Sequence, residues 1–183
     1  MDMPINVSFP PRVHVYTDGA IRPERGASGL AAVVRAPADR LPGGQIIAWW
    51  SRAAGALTCN EAEYAAAVFA FEQILSLPPA QRPREMLVFS DSRVLVEQMN
   101  GRAAAHAPAL QRAAARLRTL AAQIGQASFQ HIGREHNRLA DALAYEAICD
   151  GIPVAASPPA GQASRECLHP DTWEQITHLW RKR

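Results

Sequence analysis

The sequence predicts an α/β fold: a five-stranded mixed sheet, with a three-strand antiparallel meander plus two parallel strands, flanked by helices. Three observations predict it. Strand-like and helix-like segments follow one another in the order β-β-β-α-β-α-α-β-α. Runs of strands that give way to alternation with helices are the pattern of such sheets. The 183 residues are 48% hydrophobic and 20% charged, which suffices for one domain with its own core and argues against disorder. No run approaches the roughly 18 apolar residues of a membrane span, so no membrane partner is expected.

Residues 12–17 (RVHVYT) alternate and are rich in β-branched and aromatic side chains, the mark of a strand that ends at Asp18-Gly19-Ala20. Residues 21–26 read as a turn. Residues 27–36 and 45–53 give two further strands around a loop from Pro37 to Gly44, completing the meander. Thr58-Cys59-Asn60 opens a helix to about Leu77, with Tyr64, Val68, Phe71 and Leu75 at helical spacing and Pro78-Pro79 as its stop. The short apolar run 86–90 (MLVFS) reads as a strand buried on both faces. Residues 92–100 read as a helix closed by Gly101. After Pro108, Leu110, Ala113, Ala114, Leu117, Leu120, Ala121 and Ile124 form the apolar face of a longer helix, stopped by Gly125. Residues 127–132 give the last strand, and Asn137 is a good N-cap for a helix to about Ile148. These elements set a catalytic domain at 12–150. Residues 151–183 read as a Pro/Gly linker followed by a short helix over 172–181, whose Trp173, Ile176 and Trp180 form an apolar stripe.

Four acids fall at telling places on these elements. A meander followed by a helical crossover sets strand four parallel to strand one on its free side, with the carboxyl ends of both at a topological switch point. Asp18 follows strand one and Asp91 follows strand four. Glu63 lies early in the intervening helix, and Asp141 in the first turn of the helix after the last strand. Clustered carboxylates repel one another, and hard divalent cations are their natural neutralisers. Two such cations activate water and stabilise the leaving oxygen in phosphodiester cleavage. Glu61 and Glu63 differ by roughly 200° around a helix and cannot both face one cleft.

The segments VYTDGA (Val15 to Ala20), TCNEAEY (Thr58 to Tyr64), SDS (Ser90 to Ser92) and REHNRLADALA (Arg134 to Ala144) resemble the four signature blocks of type 1 ribonuclease H. The compact bacterial and archaeal branch is the most similar, over about residues 12–150. The resemblance implies a ribonuclease H-like fold and metal-dependent hydrolysis of the RNA strand in RNA/DNA hybrids, giving 5′-phosphate and 3′-hydroxyl ends. It implies Mg2+ or Mn2+, two per site, held by Asp18, Glu63, Asp91 and Asp141. It selects Glu63 over Glu61, five positions after the threonine. It implies substrate contacts from Thr58, at a DNA-strand phosphate pocket, and from Asn60, with Gly19, Ala20, Ser92 and Asn137 inside the same blocks. Cys59 departs from the family's usual second asparagine there. Arg134, seven residues before Asp141, matches the arginine that the compact branch carries. His131, ten residues before Asp141, holds the register of the proton-shuttling histidine of the longer branch, and His136 sits nearer the helix start.

Other features bound the function more loosely. Six arginines (Arg102, Arg112, Arg116, Arg118, Arg134, Arg138) against Glu135 as the one acid in that stretch suit a polyanion. Three cysteines without a CxxC pair, and an N-terminus without an apolar h-region, suit a reducing cytoplasm. Trp49 and Trp50 read as packing residues. Proofreading exonucleases carry D-x-E in the first strand, whereas Asp18 is followed by Gly19-Ala20. The alternative from another class is a non-catalytic nucleic-acid-binding or scaffold module that retains the fold. Oligomeric state is not legible in the sequence.

Overall fold

The computed structural model describes residues 8–150. The predicted linker and the helix over 172–181 lie outside the described residues. Nine elements follow the predicted order: β1 (Arg12–Arg22), β2 (Ala27–Arg35), β3 (Ile46–Ala54), α1 (Cys59–Ser76), β4 (Glu85–Ser90), α2 (Arg93–Met99), α3 (Pro108–Ile124), β5 (Gln126–His131) and α4 (Arg138–Asp150). Three short 3-10 turns, at Pro23–Arg25, Pro79–Gln81 and Arg134–His136, link them.

The sheet order is β3-β2-β1-β4-β5. The first three strands are antiparallel, and β4 and β5 run parallel to β1. One difference from the sequence reading matters for function. β1 does not end at Asp18-Gly19-Ala20 but runs on through Ile21 to Arg22, the start of the predicted turn, paired with β2 as far as Arg22↔Ala27. The polar Asp-Gly-Ala stretch has the composition of a turn, yet β2 supplies a full ladder of backbone partners for it. The reversal comes later, at Pro23–Arg25, where Gly26 adopts φ 57°.

Period-two alternation along the strands divides the core between the two sheet faces. Val13, Val15, Leu30 and Trp50 pack with α1 and α3 on one face. Tyr16, Val33, Trp49 and Phe89 pack with Leu139, Leu143 and Ala144 of α4 on the other. Adjacent Trp49 and Trp50 therefore fill opposite cores, and both are packing residues. The α3 stripe behaves as its spacing predicts: Ala114, Leu117, Leu120 and Ile124 are buried. Arg112 and Arg116 are exposed, and Arg116 pairs with Glu72 of α1 at 3.3 Å.

Candidate active site

The acids converge because of strand register. β1 and β4 are parallel, with Tyr16 opposite Phe89. Two residues further along each chain stand Asp18 and Asp91, side by side at the end of the β4 ladder. Glu63 arrives from the second turn of α1. That helix is set by a capping box at Thr58, whose hydroxyl faces the Glu61 backbone N–H at 3.3 Å while the Glu61 carboxylate accepts from the Thr58 backbone N–H at 2.9 Å. Gly19 permits the approach of α1: a Cβ there would lie 2.6 Å from the Glu63 backbone nitrogen. Carboxylate oxygens of Asp18, Glu63 and Asp91 all lie within 4.8 Å of one another.

Electrostatics make this cluster a cation site. Burial pushes the Asp18 carboxyl up to about 9, reinforced by Glu63, Asp91 and Asp141 in that order. Burial, then Asp91, pushes Glu63 up to about 8, against opposing hydrogen bonds from Ser90 and Gly19 and the charge of Arg134. Without a cation, the Asp18 and Glu63 carboxyls hold their protons near neutral pH. With three oxygen donors so close, it is positioned to chelate hard divalent ions such as Mg2+ or Mn2+.

The remaining predicted residues divide. Asp141 stands on the first turn of α4, exposed and outside the 4.8 Å group. Its charge nevertheless reaches Asp18. Arg134, exposed in the 3-10 turn, places Nε 3.4 Å from Asp91 Oδ2. His131, exposed at the end of β5, lies with Nε2 3.2 Å from the Asp91 backbone carbonyl. His136 turns away to Glu135, 3.6 Å off, and lines a cleft with Tyr16, Arg35 and Leu139. Thr58 donates its hydroxyl to Glu61 Oε2 at 2.8 Å, and Asn60 is exposed beside it. Ser92 caps α2 by accepting from the Leu95 backbone N–H at 3.4 Å. Gly19 and Ala20 are ladder residues of β1, half-buried opposite Leu30 and Gly29.

Asn137 corrects the sequence reading. Its backbone carbonyl accepts from the Asp141 N–H at 3.0 Å, as at a helix start. Its side chain does not cap α4 but donates to Thr17 O, Asp18 Oδ1 and Asp91 Oδ1. Ser90 is a further site residue that sequence reasoning passed over. Its hydroxyl lies 3.4 Å from Glu63 Oε2 and accepts from the Ser92 backbone N–H at 3.0 Å. Its place in the S-D-S block was the available signal.

Residues 16–147 match the family model described as reverse transcriptase-like. The chain belongs to the type 1 ribonuclease H-like family. The ribonuclease HI of Halobacterium salinarum is 35% identical over 141 residues, which cover 76% of this chain and 65% of the relative. Its crystal structure superposes with a TM-score of 0.67 at 32% identity, over 76% of this chain and 98% of that one. The N-terminal ribonuclease H domain of the Mycobacterium tuberculosis protein Rv2228c gives 0.66 at 30% identity, over 80% and 100%. This chain spans 38% of the full length of that bifunctional mycobacterial protein. LC11-RNase H1, solved in complex with an RNA/DNA hybrid, gives 0.67 at 30% identity, over 75% and 96%. The ribonuclease H-like architecture thus agrees with the strand order of this chain, including its meander and parallel pair. Among the described residues no helix is long and apolar enough to cross a membrane.

Proposed function

We propose that this chain is a divalent-metal-dependent endoribonuclease that hydrolyses the RNA strand of RNA/DNA hybrids, leaving 5′-phosphate and 3′-hydroxyl ends. The observation that carries the reading is the convergence of Asp18, Glu63 and Asp91 within 4.8 Å. The likeness to ribonucleases H, one of them solved on an RNA/DNA hybrid, supports the substrate class.

Asp18, Glu63 and Asp91 hold the cations in this reading, and Asp141 completes the set from the edge of the cleft. The chemistry that two bound Mg2+ or Mn2+ ions supply is activation of a water and stabilisation of the leaving oxygen. Arg134 meets a phosphate in this reading, which its exposure and its position beside Asp91 support. His131 supports the segment after β4 through the Asp91 carbonyl and offers its exposed ring to a proton. Asn60 and Thr58 at the exposed start of α1, with Ser92, Gly19 and Ala20, are the hybrid contacts in this reading. A cytoplasmic location fits this substrate and the unpaired Cys59 and Cys149.

The test is cleavage of labelled RNA/DNA, RNA/RNA and DNA/DNA duplexes with Mg2+ or Mn2+, with wild type and Asp91→Asn. Only the hybrid's RNA strand is cut, and Asp91→Asn slows the cut by orders of magnitude. Hybrid binding without cleavage would turn the reading to a scaffold module. Equal rates for the two proteins would place the chemistry elsewhere.

A further inference from the structure

The side chain that ties the carboxylates together is Asn137, and we infer that it is a positioning residue for cation binding and not a contact to nucleic acid. The inference rests on the metal-dependent reading above and deepens it.

Asn137 is 1% exposed. Its Nδ2 lies 3.0 Å from Thr17 O, 3.2 Å from Asp18 Oδ1 and 3.0 Å from Asp91 Oδ1. Two hydrogens thus serve three acceptors, drawn from β1 and from the residue that follows β4. The orientation of the amide is set by the Thr17 carbonyl, which can only accept, so turning the amide over would set Oδ1 against that oxygen. Oδ1 itself is sealed from solvent and has no hydrogen-bond partner among the described residues. No edge of this amide is left for a phosphate, a sugar or a base. The fold accepts an unpaired acceptor in order to keep the donor in place, which marks the donor as the part under demand.

Its position adds a second effect. The Asn137 carbonyl accepts the Asp141 N–H at 3.0 Å, so Asp141 follows one hydrogen-bonded turn later, on the same face of α4. The same residue therefore sets the separation of Asp18 from Asp91 and anchors the helix start that carries the fourth acid. Asp141 lies outside the tight group of three. Its approach to that group depends on where the Asn137 anchor holds α4. Residues that orient the groups around a metal in this way typically change its affinity by roughly 10–100-fold when removed.

The experiment is calorimetric titration of the full chain with Mn2+ alone, for wild type, Asn137→Ala and Asn137→Ser, followed by hybrid cleavage at saturating Mn2+. Asn137→Ala weakens Mn2+ binding about tenfold or more, while KM for the hybrid stays within about twofold. Asn137→Ser, which keeps a donor, falls between. A substrate contact would raise KM and leave the Mn2+ titration unmoved, and that result overturns the inference. In 15N-labelled wild type, Mg2+ shifts the Asn137 side-chain amide resonance with no nucleic acid present. An unmoved resonance overturns the inference even if the alanine variant fails to fold. Wild type that binds Mn2+ but cuts no hybrid refutes the proposed function and leaves the Asn137 comparison readable. Wild type that binds no cation refutes both.

Discussion

Replacing Asp18 with Asn should make the metal-free protein more stable while abolishing its chemistry. Asp18 is 4% exposed and shares its site with two other carboxylates. Its carboxyl rises from 3.8 to about 9, chiefly by burial and then by the charges of Glu63, Asp91 and Asp141. Between those values the folded chain binds more protons than the unfolded chain, so stability falls as pH rises from about 4 to about 9. At pH 7 the part of that range already crossed, from 3.8 to 7, corresponds to about 4 kcal/mol of lost stability, at about 1.36 kcal/mol per unit. Part of that repulsion is shared with Glu63, so about 2–4 kcal/mol is recoverable by neutralising Asp18 alone. An Asn keeps a carbonyl oxygen for the Asn137 donor. For a domain of this size the gain is a rise in Tm of roughly 5–15 °C. The assay is thermal unfolding of wild type and Asp18→Asn in EDTA at pH 5, 7 and 8.5. The gap between them widens with pH. Millimolar Mg2+ then narrows it, because the cation stabilises only the chain that binds it. A less stable Asp18→Asn in EDTA, or a gap equal at pH 5 and 8.5, would refute the reasoning.

What the sequence reveals and conceals follows from the range of the forces involved. The strands and α3 were legible because their apolar periodicities survive in single side chains. Helical geometry shows that Glu61 and Glu63 cannot both face one cleft, and the resemblance to the ribonuclease H blocks is what selects Glu63. The structure places Glu61 in the capping box and Glu63 in the cluster. α1 was only partly legible. Val68 and Leu75, read as its apolar face, are half-buried, whereas Ala62, Ala66, Ala67 and Ala70 are fully buried. Buried alanines do not stand out by hydropathy, yet they let α1 lie close against the sheet. The end of β1 was misplaced because Asp18-Gly19-Ala20 has turn chemistry, and only pairing with β2 overrides it. Asn137 was read by its nearest rule, the helix cap. Its three partners are 46, 119 and 120 positions away and belong to no local pattern. Local patterns thus put Asp18, Glu63 and Asp91 on the elements that bring them together, and long-range contacts decide how they are held.

The remaining predictions probe that holding. Glu63→Gln should lose hybrid cleavage and weaken Mn2+ binding, whereas Glu61→Gln should keep both, with a small change in Tm from the altered cap. Steady-state rates and calorimetry on the pair check this, and the reverse outcome would place the wrong glutamate in the site. Gly19→Ala should cost both stability and Mn2+ affinity although no ligand is altered. A Cβ at this position collides with the Ala62 carbonyl group and lies 2.6 Å from the Glu63 nitrogen, all backbone atoms with no rotamer to yield. The strand is tied on both sides, to β2 by the ladder through Gly19↔Leu30 and to β4 up to Tyr16↔Phe89. The element free to give way is therefore α1, which carries Glu63 away from Asp18 and strips the Gly19 hydrogen bond from its carboxylate. Melting curves and Mn2+ titration of Gly19→Ala measure the two losses separately. If the variant melts lower but binds Mn2+ as tightly as wild type, the close approach of α1 to β1 serves packing alone, and the spacing of the acids is set from elsewhere.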